Sequence, residues 1–264
     1  MTSTEKLTYD SYLRITDLLE LQQPLSAPEE HDETLFIIIH QVYELWFKQM
    51  LHEGDFLCTT FGENDQPTAC ATLKRMLTIL KTMVAQIDVL ETMSPVSFQS
   101  FRRFLKSSSG FQSAQFREFE FLLGHKRRSP LDNYDENSPL RRKLEGRLAA
   151  PSIWDAFCKW LSIRGFDVPQ ELLDRDVTEA AQPNPELQKQ LIAIYHGHPA
   201  ERTVCELLVD LDEGIQEWRY RHVKMVERTI GTLKGTGGSP GAAYLRNTLF
   251  HSLFPDLWAI RSEL

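Results

Sequence analysis

The sequence predicts an all-α fold, with residues 1–264 forming one domain. Apolar residues recur at the three- and four-residue spacing of a helix in several long stretches. No stretch keeps the period-two alternation of a strand, and proline or glycine separates the helical stretches. Hydrophobic residues make up 42% of the 264-residue chain, which is enough to bury a sizeable core.

A short helical segment is expected near the N-terminus, within residues 1–22. Tyr9, Tyr12 and Leu13 begin a series of apolar residues at helical spacing, and the linker QQPLSAPEE follows it. An aromatic-rich segment before a linker packs either on the core of its own chain or on another subunit. The spacing does not decide between these two.

A long stretch rich in apolar residues covers residues 31–53, HDETLFIIIHQVYELWFKQMLHE. We expect Asp32 to cap the N-terminus of a helix here. Apolar residues on every face, among them Ile37, Ile38 and Ile39, predict that this helix is buried. It is too short and too polar to cross a membrane.

His40 lies in the middle of this helix, one turn after Phe36 and one turn before Glu44. A buried imidazole needs a hydrogen-bond partner, a metal or a ligand. The helix alone leaves open an ordinary core histidine bonded to a neighbour.

Further helices follow, most of them bounded by a capping residue, proline or glycine. Ser94 and Pro95 are a typical helix start, and Gly124 is a typical helix end. The helices are expected from Pro67 to Met93, from Pro95 to before Ser107, and over residues 111–124, 138–149, 152–164, about 170–181, 185–195, 200–230 and 242–252.

Arg102 shares one face of its helix with Phe98 and Leu105. An arginine in an apolar stripe needs an anion. That anion is either a protein carboxylate in a structural salt bridge or a bound ligand, and the sequence leaves both open.

Two features near the C-terminus carry further polar groups. In the helix at 200–230, Trp218, His222 and Val226 share the inner stripe, so His222 points inward as His40 does. The glycine-rich segment KGTGGSPG then begins at Lys234. It lacks the Lys-Ser/Thr pair of a nucleotide-binding loop, but its amides and the Thr236 hydroxyl could surround a small anion, or it could serve as a connector.

Composition excludes several classes of protein. The net charge is −8 and no basic stripe is interleaved with aromatics, which argues against nucleic acid as a partner. The four cysteines are scattered, so zinc ribbons and CxxC redox sites are not expected. His196 and His198 have a spacing that could bind a metal, but a plain loop is the simpler interpretation. With no signal peptide and no apolar run, a cytoplasmic protein is expected.

The inward polar groups His40, Arg102, His222 and Thr236 come from four different segments. Two inward histidines suit a cofactor held between helices, with one ligating a metal and the other on its open side. Arg102 would pair with a carboxylate, and Phe36 would provide a wall for a flat apolar ring.

Several motifs resemble the tryptophan 2,3-dioxygenase family. They are HDETLFIIIHQVYELWFKQMLHE, SSSGFQSAQFREFEFLLG, WRYRH, KGTGGSPG and the N-terminal LTYDSYLRITDLLELQQPLS. They occur in the family's order and span nearly the whole chain. The resemblance implies an all-α enzyme with b-type haem, usually a homotetramer. It would insert both atoms of dioxygen across the indole C2–C3 bond of L-tryptophan, giving N-formylkynurenine.

The resemblance also implies roles for individual residues. His222 would be the axial ligand of the haem iron, and His40 would lie near the indole N–H. Arg102 would bind the substrate carboxylate, and Thr236 would help to hold the amino-acid end. Phe36 would pack against the indole, and the neighbouring Ile37, Ile38 and Ile39 are assigned to the same substrate site.

The remaining matches lie farther from the two histidines. Ser109 and Gly110 would line the distal side of the haem. Phe98 occupies a substrate-binding position that many relatives fill with tyrosine, so a hydroxyl contact would be missing. Tyr9, Tyr12 and Leu13 match the segment that relatives insert into a neighbouring subunit's active site.

Three alternatives remain open at the level of sequence. A relative of this family could add a single oxygen atom to tryptophan or to a substituted, for example methylated, tryptophan. A non-haem iron enzyme could use the spacing of His31 and Glu33. A haem-based sensor would bind the cofactor without catalysis, although a sensor of a diatomic gas has no need of Arg102 and Thr236.

Overall fold

The computed structural model describes residues 6–236, 241–246 and 248–264, and within these ranges it contains helices and no β-strand. The predicted all-α fold is confirmed. In chain order the α-helices of the described residues are α1 (Tyr9–Leu13), α2 (Ile15–Leu19), α3 (His31–Gly62), α4 (Gln66–Leu90), α5 (Pro95–Arg102), α6 (Ala114–Leu122), α7 (Pro139–Ala149), α8 (Ile153–Ile163), α9 (Gln170–Leu173), α10 (Pro185–Gly197), α11 (Pro199–Ile230), α12 (Ala242–Arg246) and α13 (Pro255–Ala259). Short 3-10 helices lie at residues 103–105, 110–112, 129–133 and 260–263.

The start of α3 differs from the prediction. Glu30 is the residue before the helix, and Asp32 lies within its first turn, so the expected cap at Asp32 is wrong. The preceding linker is instead held by Glu33, whose carboxylate accepts the backbone N–H groups of Leu25 and Ser26, both at 2.9 Å. The linker is therefore hydrogen-bonded to the first turn of the helix, and the helix begins two residues earlier than a cap at Asp32 would allow.

The helix predicted at about 170–181 is also largely wrong, because α9 ends at Leu173. Beyond it, the Asp176 carboxylate accepts the backbone N–H of Thr178 at 2.9 Å. Arg175 donates to the Asp155 carboxylate at 2.6 Å and to the carbonyl of Glu179 at 2.7 Å. These side-chain bonds offer the backbone an alternative to helical hydrogen bonding.

The core lies where α3, α4 and α11 pack in succession, with α6 and α8 against the other side of α3. Small residues allow two of these contacts to be close. A Cβ atom on Gly214 of α11 would lie 2.7 Å from a Leu80 methyl carbon on α4. On Gly54 of α3 it would lie 2.5 Å from a methyl carbon of Leu122 on α6. A larger side chain at either position would require the facing leucine side chain to move.

One stripe of α3 remains on the surface. The prediction of burial on every face holds for Ile39 and Phe47 but not for Ile38, Leu45 and Phe56, which are 40%, 52% and 47% exposed. The three exposed residues recur at spacings of seven and eleven, so they lie on one side of the helix. We call them the α3 stripe.

The C-terminal segment is tied to α11 by a buried carboxylate. Asp212 is fully buried and accepts the backbone N–H groups of Leu253 and Phe254, at 2.7 and 3.1 Å, and the indole N–H of Trp258 at 2.9 Å. Three charge-assisted hydrogen bonds compensate the cost of burying this group. Within the described ranges, none of the helices combines the length and the apolar character needed to cross a bilayer.

Candidate functional site

A cavity of about 270 Å³ lies between α3, α5 and α11, and it is also lined by residues from 109–120 and by residues 235, 236, 241, 245 and 248. A single water needs only about 10–15 Å³, so the cavity has room for an organic molecule. Much of its wall is apolar, and the polar groups that border it come from distant parts of the chain. The predicted residues at its border are Phe36, His40, Phe98, Arg102, Ser109, Gly110, His222 and Thr236.

His40 has a defined tautomer. Its Nδ1 lies 2.7 Å from the carbonyl oxygen of Phe36, one helical turn earlier. Because a carbonyl oxygen only accepts, Nδ1 must carry the proton. In the neutral ring Nε2 is then an acceptor. Burial lowers the pKa of His40, an effect only partly opposed by this hydrogen bond and by the charge of Glu44, so the ring is neutral at pH 7.

His222 borders the same cavity but has no such partner. Its ring stacks on Trp218, with the ring planes 5° apart and the centroids at 5.4 Å. No hydrogen bond joins it to another residue among those that the structure describes. Burial, and secondarily the nearby His40, lowers the pKa of His222 to about 4. A neutral imidazole without a protein partner is available to a metal or a ligand.

Arg102 is the last residue of α5 and borders the cavity. Ser94 accepts the N–H of Ser97 at 3.0 Å and Pro95 occupies the first turn, as predicted. The helix ends at Arg102, whose Nη2 donates to the carbonyl of Lys234. No acidic side chain of the described ranges lies within ion-pair distance of this guanidinium. The structural salt bridge left open by the sequence is therefore absent from the described residues.

Thr236 connects the start of the glycine-rich segment to the loop after α5. Its hydroxyl donates to the carbonyl of Ser108, next to Ser109 and Gly110 at the cavity border. The other part of this prediction, a cradle formed by Gly237, Gly238, Ser239 and Pro240, lies outside the described residues.

Phe98 is buried and adds to an aromatic wall at the α3–α5 side of the cavity. Its ring centroid lies 5.8 Å from that of Phe36. The Phe36 ring in turn lies 4.1 Å from the His40 ring. These contacts bring together three of the predicted substrate-binding residues.

Six other predicted residues do not border this cavity. Ile37, Ile38 and Ile39 continue α3 from Phe36 but are not among the residues that line the cavity. Tyr9, Tyr12 and Leu13 lie in α1 and are 77%, 71% and 43% exposed. Within its own subunit, α1 therefore makes no contribution to the cavity wall.

Glu120 lies at the centre of a largely buried cluster of charged side chains that the sequence did not predict. The carboxylate of Glu120 accepts from Arg117 at 2.5 Å, from Arg127 at 2.9 Å and from Arg219 at 3.0 Å. Burial alone would raise its pKa, but the three guanidinium groups lower it to about 2. One anion thus faces three cations. We call these four residues the Glu120 cluster.

The Glu120 cluster presents unsatisfied donors beside the cavity. Arg117 and Arg219 are each 5% exposed and border it together with Trp218. The Nε–H groups of both arginines are buried without a hydrogen-bond partner in the described part of the chain, whereas the indole N–H of Trp218 interacts with the hydroxyl of Tyr43. Buried donors without partners cost free energy, so this wall of the cavity is suited to an anionic group.

A signal for this cluster was present in the sequence. The motif FREFEF places Arg117 and Glu120 in an otherwise apolar helix, and Arg219 lies in WRYRH beside the inner stripe of α11. Charged residues on an apolar face are rarely buried without a partner. This pattern could have indicated an internal ion pair.

Two alternative metal sites are not supported. Glu33 is 2% exposed and its carboxylate is occupied by the backbone N–H groups of the linker, while His31 is exposed, so the proposed His31 and Glu33 pair is wrong. The second candidate was the pair His196 and His198. His196 lies in the last turn of α10, which ends at Gly197, and His198 is the single residue between α10 and α11. No set of three or more His, Cys, Asp or Glu side chains in the described ranges could hold a metal ion.

The sequence is similar to known proteins over nearly its full length. A family model described as tryptophan 2,3-dioxygenase matches residues 1–147 and 160–264. A protein of that name from Herpetosiphon aurantiacus is 55% identical over 261 residues, covering 99% of this chain and 100% of the relative. Another from Anaeromyxobacter dehalogenans is 52% identical, covering 98% and 96%, and one from Serratia proteamaculans is 40% identical, covering 99% and 94%. The chain therefore belongs to the tryptophan 2,3-dioxygenase family.

Proposed function

We propose that this protein is a haem-dependent dioxygenase of L-tryptophan that forms N-formylkynurenine. The observation that carries the proposal is the meeting of three groups at one cavity. These are the unpartnered imidazole of His222, the acceptor nitrogen of His40, and Arg102 without an acidic partner among the described residues. The similar proteins named tryptophan 2,3-dioxygenase support the same reaction.

The donor set at the cavity fits a b-type haem. His222 would ligate the iron, since its neutral imidazole has no partner within the described chain. Arg117 and Arg219 would hold the two carboxylates of the cofactor, which would satisfy their buried donors. Ser109 and Gly110 would line the opposite side. Bound haem would supply an iron site at which dioxygen binds and is activated.

The substrate would lie between the aromatic wall and Arg102. The guanidinium of Arg102 donates from Nη2 to Lys234, and no other described residue accepts from it, so its other N–H groups can pair with a carboxylate. Thr236 would help to hold the amino-acid end. Phe36 and Phe98 would enclose the indole, and Phe98 has no hydroxyl to add a hydrogen bond.

His40 would orient the indole ring. With Nδ1 bonded to the carbonyl of Phe36, Nε2 can accept the indole N–H. The lowered pKa of His40 keeps this nitrogen unprotonated at pH 7. The protein's contribution is thus to fix the ring and exclude water, which together reduce the entropic cost of reaching the reactive geometry.

We further propose that the protein works as a homotetramer. Tyr9, Tyr12 and Leu13 would complete the cavity of a neighbouring subunit, which accounts for the exposure of large apolar side chains in α1. The α3 stripe would be covered by another copy of the chain. Burying these exposed apolar side chains against another subunit would remove them from water, which favours association.

Mass spectrometry of the product formed under ¹⁸O₂ tests the reaction. Cleaving the indole C2–C3 double bond into two carbonyl groups is a four-electron oxidation, which uses both atoms of dioxygen and needs no added reductant. We therefore expect L-tryptophan to gain two labelled oxygen atoms with ferrous enzyme and dioxygen alone. A reductant-dependent product with one labelled atom, preferentially from a methylated tryptophan, would support the monooxygenase alternative, which the comparisons do not favour.

A further inference from the structure

An open groove adjoins the cavity on the side of Arg102. It has a volume of about 630 Å³ and shares Arg102, Gly235 and Thr236 with the cavity. The other residues that line it are Gln99, Arg103, Lys106, Leu233 and Lys234. A molecule entering the cavity from this side would pass along these residues before it reaches Arg102.

The groove carries positive charge only. Arg102, Arg103, Lys106 and Lys234 line it, and none of its lining residues is acidic. None of these four cations makes an ion pair with an acid in the ranges that the structure describes. The chain as a whole has a net charge of −8, so the groove is a local reversal of the protein's overall charge.

The three outer cations have no evident structural role. Arg103, Lys106 and Lys234 are exposed, whereas Arg102 is half-buried at the boundary with the cavity. Arg103 lies 4.8 Å from the centre of the Phe104 ring, which restricts its side chain but leaves its charge in solvent. A molecule that moves along the groove toward the cavity would therefore meet the three solvent-exposed cations before it reaches the half-buried Arg102.

We propose that Arg103, Lys106 and Lys234 form a cationic vestibule that draws the carboxylate of an incoming indole acid toward Arg102. This inference rests on the proposed function, since it takes Arg102 as the carboxylate-binding residue. The vestibule selects by charge: it attracts indole anions, affects a zwitterion weakly and repels an indole cation. Exposed charges of this kind act mainly on the association rate and its salt dependence, and little on dissociation.

Two triple variants with the same change in charge test the vestibule. In one, Arg103, Lys106 and Lys234 are replaced by glutamine. In the control, the exposed residues Lys74, Lys81 and Lys159 are replaced by glutamine; they border neither the cavity nor the groove, and no described acid pairs with them. Both variants lose three positive charges. A difference between their association rates therefore depends on where the removed charges lie and not on the net charge of the protein.

The measurement is stopped-flow binding to the holoprotein, followed by its absorbance, with three probes of different charge. At about pH 6, these are indole-3-propionate, an anion; L-tryptophan, a zwitterion; and L-tryptophan methyl ester, a cation because the pH is below the pKa of its amino group. At an ionic strength of ~10 mM, the association rate constant for indole-3-propionate should be about fivefold lower in the vestibule variant than in the control variant. The change for L-tryptophan should be smaller, and the ester should associate faster.

Salt provides the second criterion. At ~1 M salt, where the screening length is about 3 Å, the two variants should associate with indole-3-propionate at the same rate. Dissociation rate constants should be unchanged throughout. Equal salt dependence in the two variants, or a change confined to dissociation, would overturn the vestibule while leaving the proposed function intact. A wild-type holoprotein that binds none of the probes would instead remove the proposed function, and the vestibule with it.

Discussion

The two cavity histidines differ in their hydrogen bonds, and at the scale of single residues this difference separates their roles. His40 is held by the carbonyl of Phe36, while His222 has only a stacking contact with Trp218 among the described residues. A ring with a fixed tautomer is suited to accept a proton donor from a substrate. A neutral ring without a fixed partner is suited to ligate a metal.

Replacing His222 by alanine should remove most of the haem on purification, because the residue proposed to ligate the iron is lost. The measurement is haem content per chain, together with the spectrum of the ferrous protein. The matched control is His196→Ala at an exposed position in α10, away from the cavity, which should keep its haem. Full occupancy and an unchanged ferrous spectrum in His222→Ala would contradict the assignment of His222.

Replacing Arg102 by leucine should weaken L-tryptophan binding far more than replacing His40 by alanine. Loss of one partner of a desolvated, charge-assisted contact costs about 2–5 kcal/mol. Loss of a neutral hydrogen bond costs about 0.5–1.5 kcal/mol. Binding to the ferrous protein, measured by absorbance titration, gives both values. Arg128→Leu, an exposed arginine away from the cavity border, is the control, and the reverse order of effects would rule out Arg102 as the carboxylate-binding residue.

At the scale of secondary-structure elements, the Glu120 cluster joins segments that do not follow one another in the chain. Glu120 belongs to α6, Arg219 to α11, and Arg127 to the segment after α6. Arg219 also donates to the carbonyl of Thr248 at 2.9 Å, which connects the C-terminal segment. The carboxylate of Glu120 therefore connects α6, the segment after α6 and α11 at the wall of the cavity.

Replacing Glu120 by glutamine should destabilise the protein by about 3–5 kcal/mol at pH 7, because it leaves buried arginines without their anion. The folded-state pKa of Glu120, about 2, is below its ordinary value of 4.5. Its stabilising contribution is therefore complete above pH 4.5 and is lost as the pH falls toward 2. The stability difference between wild type and variant should be constant near neutral pH and should narrow below pH 4.5.

Urea unfolding over a range of pH measures this difference. Glu186→Gln is the control, since Glu186 pairs with Lys189 on the surface, where both side chains are 66% exposed. Such a pair contributes about 0–1 kcal/mol. A Glu120→Gln variant no less stable than this control, or a difference that persists unchanged to low pH, would show that the cluster does not stabilise the fold.

At the scale of the whole molecule, the surface left exposed by one chain is consistent with an assembly. The large apolar side chains of α1 and the α3 stripe are exposed, while the cavity lacks the three α1 residues predicted to line it. Gln41 of α3 bonds both to Gln22, at 2.6 Å, and to the carbonyl of Leu21, at 3.1 Å. The linker after α2 thus runs along α3, beside the stripe.

Deleting residues 1–20 should reduce both the size of the oligomer and the turnover. The reason is that Tyr9 and Tyr12 would no longer be available to a neighbouring subunit. Analytical ultracentrifugation and steady-state kinetics provide the two measurements. Full turnover by a monomeric deletion variant would contradict the intersubunit role.

A mixing experiment separates this role from simple loss of stability. Subunits that lack residues 1–20 but keep an intact cavity are combined with subunits that carry Arg102→Leu and an intact N-terminus. If α1 acts in a neighbour, mixed oligomers should recover turnover that neither variant has alone. Activity no greater than the sum of the separate variants would indicate that α1 acts within its own chain.

Much of the local structure followed from short-range sequence patterns. Ser94 and Pro95 predicted the start of α5 correctly, because a capping hydroxyl and a residue without an N–H both suit the first turn of a helix. Gly124 predicted the end of α6, where φ is +99°, a conformation that favours glycine. Helical spacing in α11 likewise predicted that Trp218, His222 and Val226 lie on the side that borders the cavity.

Contacts between distant segments were decided only by tertiary structure. Sequence predicted that Arg102 needs an anion but not whether a protein carboxylate would supply it. Nor did it predict that Glu33 would bind the linker or that Glu120 would collect three arginines. Helix caps and helical stripes depend on residues within one or two turns, so their energetics can be read from neighbouring letters of the sequence. The partner of a charge depends on which helices pack together, and that is set by burial of apolar surface summed over the whole chain.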